Sequence, residues 1–231
     1  MTIATFKVLS ALLSYPTEEL QRAAAEMRTA LRNEATIPLV TGGDLDRMIG
    51  EMADGDLLDL QERYVLLFDR TRSLSLHLFE HVHGESRDRG QAMIDLRSLY
   101  EKNGLAIKTT ELPDFLPLFL EFLSTRPARE ACELLGQTSH IVAALGERLA
   151  KRGSPYSAVF KALAEATATP ASAEIESLLA EPDTDPDDLT ALDAAWQDAP
   201  VVFGPEPTDG CKSNLVARIR AARRPPAARQ N

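Results

Sequence analysis

Cysteine occurs only at Cys132 and Cys211, far apart and outside any CxxC pair. Two isolated thiols make neither a disulfide framework nor a cysteine-based zinc site, so both read as free thiols in a reducing compartment. Aromatic residues are 6% of the chain and there are 12 glycines, set among long stretches of Ala, Leu, Glu and Arg. That composition disfavours a turn-rich sandwich or barrel and predicts an all-α protein. Positive charge is also short, with a formal net charge of -10. Phosphate binding needs a basic face, so nucleic acid is excluded as the main partner, whereas a basic peptide suits this balance. Phosphate-cradling loops of the GxxxxGK[ST] or GxGxxG type are absent. The apolar N-terminal stretch MTIATFKVLSALLSYP is interrupted by Lys7 and closed by Pro16. It falls short of the roughly 20 residues that span a bilayer, and no basic leader or small-residue cleavage site accompanies it. It reads as the first core helix of a cytoplasmic protein.

What is present is helical periodicity. Ile3, Phe6, Leu9, Leu12 and Leu13 share one face. A second helix is predicted from Thr17, with Leu20, Ala24, Met27 and Leu31 on its stripe, and Pro38 with Gly42-Gly43 reads as a loop. Asp44 and Asp56 stand where N-caps belong, ahead of Leu45, Met48, Ile49 and Met52 and of Leu57, Leu60, Tyr64, Leu67 and Phe68. From Arg70 to Arg89 the helical pattern lapses, with LSLHLF followed by EHVHGESRDRG. Ala92, Met93, Leu96 and Tyr100 resume it, ending at the C-cap pair Asn103-Gly104. ELPDFLPLFLEFL is apolar nearly all round from Phe115 to Leu123 and predicts a central helix, with Asp114 either its N-cap or a carboxylate beside an apolar groove that receives an arginine or backbone N–H of a bound peptide. One long helix is expected from Pro127 to Lys151, then a stop, N-cap and first-turn proline at Gly153-Ser154-Pro155. Glu174 to Asp198 carries nine acidic residues and no basic ones, with EPDTDPDD as a hinge. After Asp209 the tail is basic, and such tails are usually disordered. The expected division is a helical core over 1–168, a peripheral acidic linker with short helices over 169–200, and a flexible basic tail over 201–231.

Chemistry-bearing residues concentrate in the lapse. His81 and His83 lie beside Glu80 and Glu85, ligand types that suit zinc, but HxH without a third well-spaced ligand more often caps or packs. Cys132 and His140, eight residues apart on one predicted helix, are too widely spaced to act as nucleophile and base. Glu80, Glu85, Arg87, Asp88 and Arg89 read either as a solvated face or as the charged rim of an apolar recognition surface. Leu116, Phe119 and Leu120 are most simply core, and are also candidates for the wall of a peptide groove.

Three blocks carry a family resemblance: YVLLFDR at Tyr64 to Arg70, LFEHVHGESRDRGQAM at Leu78 to Met93, and ELPDFLPLFLEFL at Glu111 to Leu123. In order and spacing they resemble the NarJ-type nitrate reductase molybdenum cofactor assembly chaperones, within the TorD-like group of redox-enzyme maturation chaperones. The likeness runs to about Trp196. It implies a single-domain TorD-like helical bundle without significant β-sheet, no enzymatic activity and no resident cofactor or metal. The client it implies is the nitrate reductase alpha subunit, bound through sites that include its N-terminal peptide and held for insertion of molybdenum cofactor and an iron-sulfur cluster. Molybdenum cofactor biosynthesis proteins join the implied partners, and the membrane enters only through the client. The client-binding candidates are Tyr64, Leu67, Phe68, Leu116, Phe119 and Leu120 for the groove, Glu80, Glu85, Asp114 and Glu121 as acidic partners, and His81, His83, Arg87, Asp88 and Arg89 around them. Related chaperones often carry Asp-His where this chain has Asp114-Phe115. The alternative is a delivery protein that carries metal or molybdenum cofactor at His81 and His83.

Overall fold

The computed structural model describes residues 3–33, 38–82, 87–107, 111–167, 173–180 and 183. Among them the chain is helical and no strand forms; one isolated antiparallel bridge joins His77 to Phe115. Helix α1 (Ile3–Leu12) lies against α7 (Leu116–Leu123), where the Ser10 hydroxyl donates to the Pro117 carbonyl at 2.6 Å. Phe6, Leu9 and Leu12 from α1 and Leu116, Phe119, Leu120 and Leu123 from α7 enter one continuous buried cluster. Apolar periodicity therefore produces the central helix as expected, with other elements closing over nearly all of its circumference.

Three predicted elements come out differently. The second helix divides at Ala23 into α2 (Glu18–Arg22), capped by Thr17, and α3 (Ala24–Arg32). Gln21 ties α2 to the end of the next helix by donating to the Met52 and Gly55 carbonyls at 3.0 and 2.9 Å. Gly42 and Gly43 are no loop: α4 runs Leu39–Asp54 through them. Glycine disfavours helix by only about 1 kcal/mol, and packing overrides it, as the first turn is anchored by a bond from Thr41 Oγ1 to Glu165 at 2.8 Å. Asp44 accordingly sits inside α4, paired with Arg47 and Lys161, and is not an N-cap. Between Pro127 and Lys151 the chain forms α8 (Ala128–Gly136) and α9 (Ser139–Lys151), separated at Gln137-Thr138.

The cap at Asp56 is as expected: its carboxylate accepts from the Leu58 and Asp59 amides at the start of α5 (Leu57–Tyr64). Gly104 ends α6 (Arg87–Lys102) with φ 82°, and Gly153 turns α9 into α10 (Ser157–Thr167) with φ 63°, both in the region that favours glycine. Gly146 lets α9 and α10 approach closely, because a β-carbon there would stand 3.0 Å from Phe160 Cβ. Helix α11 (Ala173–Ala180) packs on α9 and buries Leu178. The rest of the acidic linker, apart from Asp183, and the basic tail lie outside the described residues.

Candidate functional site

The resemblance blocks converge on two neighbouring constructions. The first is the knot formed by residues 75–82 and 113–116. Leu116 N–H donates to the Leu76 carbonyl at 2.8 Å and Leu78 N–H to the Asp114 carbonyl at 3.0 Å, which makes the bridge between the two segments. Asp114, fully buried, is the pin: its carboxylate accepts the Phe79 amide at 3.0 Å and lies 3.3 Å from His77 Nδ1. Its expected role as N-cap of α7 is thus corrected, since Phe115 occupies the cap position. The hydrogen bond to Asp114 raises the His77 pKa, partly opposed by burial and aided by the charges of Asp114, Glu80 and Glu111. The His77 ring lies 5.4 Å from that of Phe115.

His81 Nε2 donates to the Ser75 carbonyl at 2.8 Å, and Glu80 pairs with Arg89 at 3.3 Å. His83 and Glu85 lie outside the described residues, while Arg87 and Asp88 open α6. Among the described residues no three His, Cys, Asp or Glu side chains gather as metal ligands. The carrier alternative draws no support from His81, whose ring is engaged by the main chain.

The second construction follows α5. After Tyr64 the helix widens into a π turn over Val65–Asp69, in which the Arg70 amide reaches the Val65 carbonyl five residues back at 3.0 Å. Thr71 Oγ1 donates to the Leu66 carbonyl at 2.8 Å and helps seal the widened turn. Tyr64 and Phe68 point inward, stacked edge-on with one another and with Tyr156, and the Tyr64 hydroxyl donates to the Leu13 carbonyl at 3.0 Å. Burial raises the pKa of Tyr64, and pushes that of Tyr156 up to about 12. Leu66 and Leu67 are half-buried and line a cavity of about 750 Å³ with Asp59, Glu62, Pro155 and, across it, Arg152 and Asp183.

The candidate groove residues therefore separate. Tyr64, Phe68, Leu116, Phe119 and Leu120 are core in the free protein, at most 5% exposed, because α7 is covered on nearly every side. Leu67 is accessible at the cavity, and Glu121 is partly exposed and paired with Lys7. Asp59, Glu62 and Arg63, off the apolar stripe of α5, were not among the residues that the sequence singled out. The available signal was their polar i, i+3 and i+4 spacing; the return of the Gly153–Pro155 turn onto that face was not visible.

A solved chain from Archaeoglobus fulgidus described as a redox-enzyme maturation protein superposes with a TM-score of 0.54 over 73% of this chain and 95% of its own, at 20% identity, which shows a common fold. The family model for the nitrate reductase delta subunit matches residues 14–162. Escherichia coli K12 NarJ, a nitrate reductase molybdenum cofactor assembly chaperone, is 40% identical across 90% of this chain and 88% of its own. NarW of the same strain, named a probable chaperone of that kind, is 39% identical across 90% and 87%. The chain belongs to the nitrate reductase delta subunit family.

Proposed function

We propose that this protein is a system-specific assembly chaperone for a respiratory nitrate reductase. It holds the apo alpha subunit, in part through that subunit's N-terminal segment, while molybdenum cofactor and an iron-sulfur cluster are inserted and before membrane attachment. The observation that carries this reading is the 40% identity to NarJ across nearly the whole of both chains. The geometry agrees with it. Two acid-base groups of the resemblance blocks, His81 and Asp114, are spent on loop structure, and the accessible features are a cavity lined by Asp59, Glu62 and Asp183 together with Arg63 and Arg152, and paired surface charges. Its work is binding, not catalysis, and the cytoplasm is where an apo subunit would be met. Among the described residues no helix is long and apolar enough to cross a membrane. Molybdenum cofactor biosynthesis proteins are the partners expected to supply the loaded cofactor.

The test is expression of the cognate reductase in a host lacking its own chaperone, with and without this chain. The expected result is an alpha subunit that copurifies with the chain while apo and contains molybdenum only when the chain is present. Equal molybdenum content in its absence would sink the proposal.

A further inference from the structure

The cavity beside α5 is lined from two distant parts of the chain, by Leu66 and Leu67 of the π turn and by Arg152 and Asp183 across from them. Both sides are tied to one short 3₁₀ turn, Arg72–Leu74. Leu74 is fully buried in the core and its amide donates to the Thr71 carbonyl at 2.9 Å, so the turn is fixed to the interior of the protein.

The first tie runs through Thr71. The Leu66 carbonyl, at the open end of the π turn, takes its hydrogen bond from the Thr71 hydroxyl at 2.8 Å. The second runs through Ser73, whose hydroxyl donates to Asp183 Oδ1 at 2.7 Å, while Arg152 donates to the same carboxylate at 2.6 and 3.3 Å. The Ser73 carbonyl is held in turn by the buried Arg148 guanidinium at 2.7 Å. Neither hydroxyl belongs to the cavity lining: Thr71 is fully buried and Ser73 nearly so. A continuous line of bonds thus leads from Leu66 through Thr71, the turn and Ser73 to Asp183, joining the two walls from behind. Buried hydrogen bonds hold geometry strictly, because a group left without its partner loses the full cost of its desolvation.

We propose that Thr71 and Ser73 are positioning residues for client binding, which set the spacing and facing of the two walls without touching the client. Thr71 keeps the π turn in register; relaxation of that turn to an α turn would rotate Leu66 and Leu67 against the rest of the helix by one residue, roughly 100°. Ser73 keeps Asp183 on Arg152. With Asp183 in place the lining has three carboxylates, Asp59, Glu62 and Asp183, against two guanidiniums, Arg63 and Arg152. Walls set in advance spare the bound state an ordering cost. Both roles rest on the chaperone reading, with the N-terminal segment of the client in this cavity.

The experiment is calorimetric titration of the full chain, well below its melting temperature, with a synthetic peptide of about fifteen residues, roughly four helical turns, from the start of the cognate alpha subunit. Thr71→Val and Ser73→Ala are each expected to weaken binding about fivefold, the size of one net hydrogen bond. Thr71→Ser keeps the hydroxyl and is expected to bind like the wild type. Thr138→Val is the matched control, because Thr138 is also fully buried and its hydroxyl donates to the Leu135 carbonyl at 2.9 Å, but it lines no part of the cavity. It is expected to lower the melting temperature as Thr71→Val does and to leave peptide affinity unchanged. Should Thr71→Val fail to fold, Ser73→Ala decides alone. Capture of the intact apo alpha subunit is measured in parallel. If the wild-type chain captures the subunit but does not bind the peptide, or if Ser73→Ala and folded Thr71→Val bind it like wild type, or if Thr138→Val weakens it equally, the positioning role is overturned and the chaperone reading stands. If the wild-type chain captures no subunit, both fall.

Discussion

Asp114 concentrates more structural consequence than any other polar residue of the knot. It is fully buried and supplies the acceptor for Phe79 N–H, so Asp114→Ala would leave that amide unsatisfied at a cost of about 1–3 kcal/mol. Urea denaturation is expected to show a lower midpoint for Asp114→Ala and a smaller loss for Asp114→Asn, which keeps one acceptor oxygen; an unchanged midpoint in both would remove Asp114 as the pin. The titratable ring that the motif lacks at Phe115 stands across the bridge, at His77. Its folded pKa is raised above the ordinary histidine value of about 6.5, so the stability it contributes is complete below that value and is lost as pH rises through the folded pKa. Stability measured from pH 5 to 9, a window of about 4 units around that value, is expected to decline across this interval in the wild type and to flatten in His77→Gln. Sequence could suggest that Asp114 mattered but not how. Its main partner is 35 residues away, and only the folded return of residues 75–79 turns a presumed cap into a brace.

At the scale of elements, apolar patterning located the helices well where a single stripe faces the core, as in α1 and α5, and where the helix is apolar nearly all round, as in α7. It failed where a local signal was overruled by packing. Gly42-Gly43 reads as a loop until Thr41 is seen docked on Glu165, and the break at Ala23 leaves no mark in a sequence whose alanines all favour helix. The π turn was also invisible, since the run Val65 to Phe68 is apolar at every position and a one-residue expansion leaves its composition unchanged. Helix α11 illustrates another long-range dependence. The buried Arg148 guanidinium donates to the Ser73 carbonyl at 2.7 Å and to that of Leu178, clamping the loop before the knot to α11. Arg152 adds a bridge to Asp183 at 2.6 Å; burial works to raise the Asp183 pKa, but bonds from Arg152 and Ser73 and the charges of Arg152 and Arg148 hold it below the ordinary value. Arg148→Met keeps most of the side-chain volume and removes the donors. Hydrogen exchange is expected to speed up in residues 173–180 by at least about tenfold, the equivalent of roughly 1.4 kcal/mol of local protection, and much less in α1 and α7. Equal acceleration everywhere would mean that α11 is part of the global unfolding unit.

Across the whole molecule, the sequence made the fold class and the acidic character legible, because both are sums over many residues and tolerate local errors. The site was less legible because apolar residues that look equally suited to a groove or a core were decided by tertiary enclosure: Leu116, Phe119 and Leu120 went inside, while Leu66 and Leu67 were left at a cavity by the π turn. A net charge of -10 attracts any basic segment, yet only carboxylates close to it give specificity. The two contributions separate by salt. Raising ionic strength from about 0.1 M to about 1 M shortens the Debye length from about 10 Å to about 3 Å, which screens the general field more than contacts across a cavity wall. Peptide affinity is therefore expected to fall several-fold over this range in the wild type, and calorimetry should show that the Asp59→Asn/Glu62→Gln pair is weaker at low salt and less sensitive to salt. If the pair is as salt-sensitive as the wild type, attraction comes from the diffuse charge of the chain, and Asp59 and Glu62 at the cavity beside α5 do not select the client.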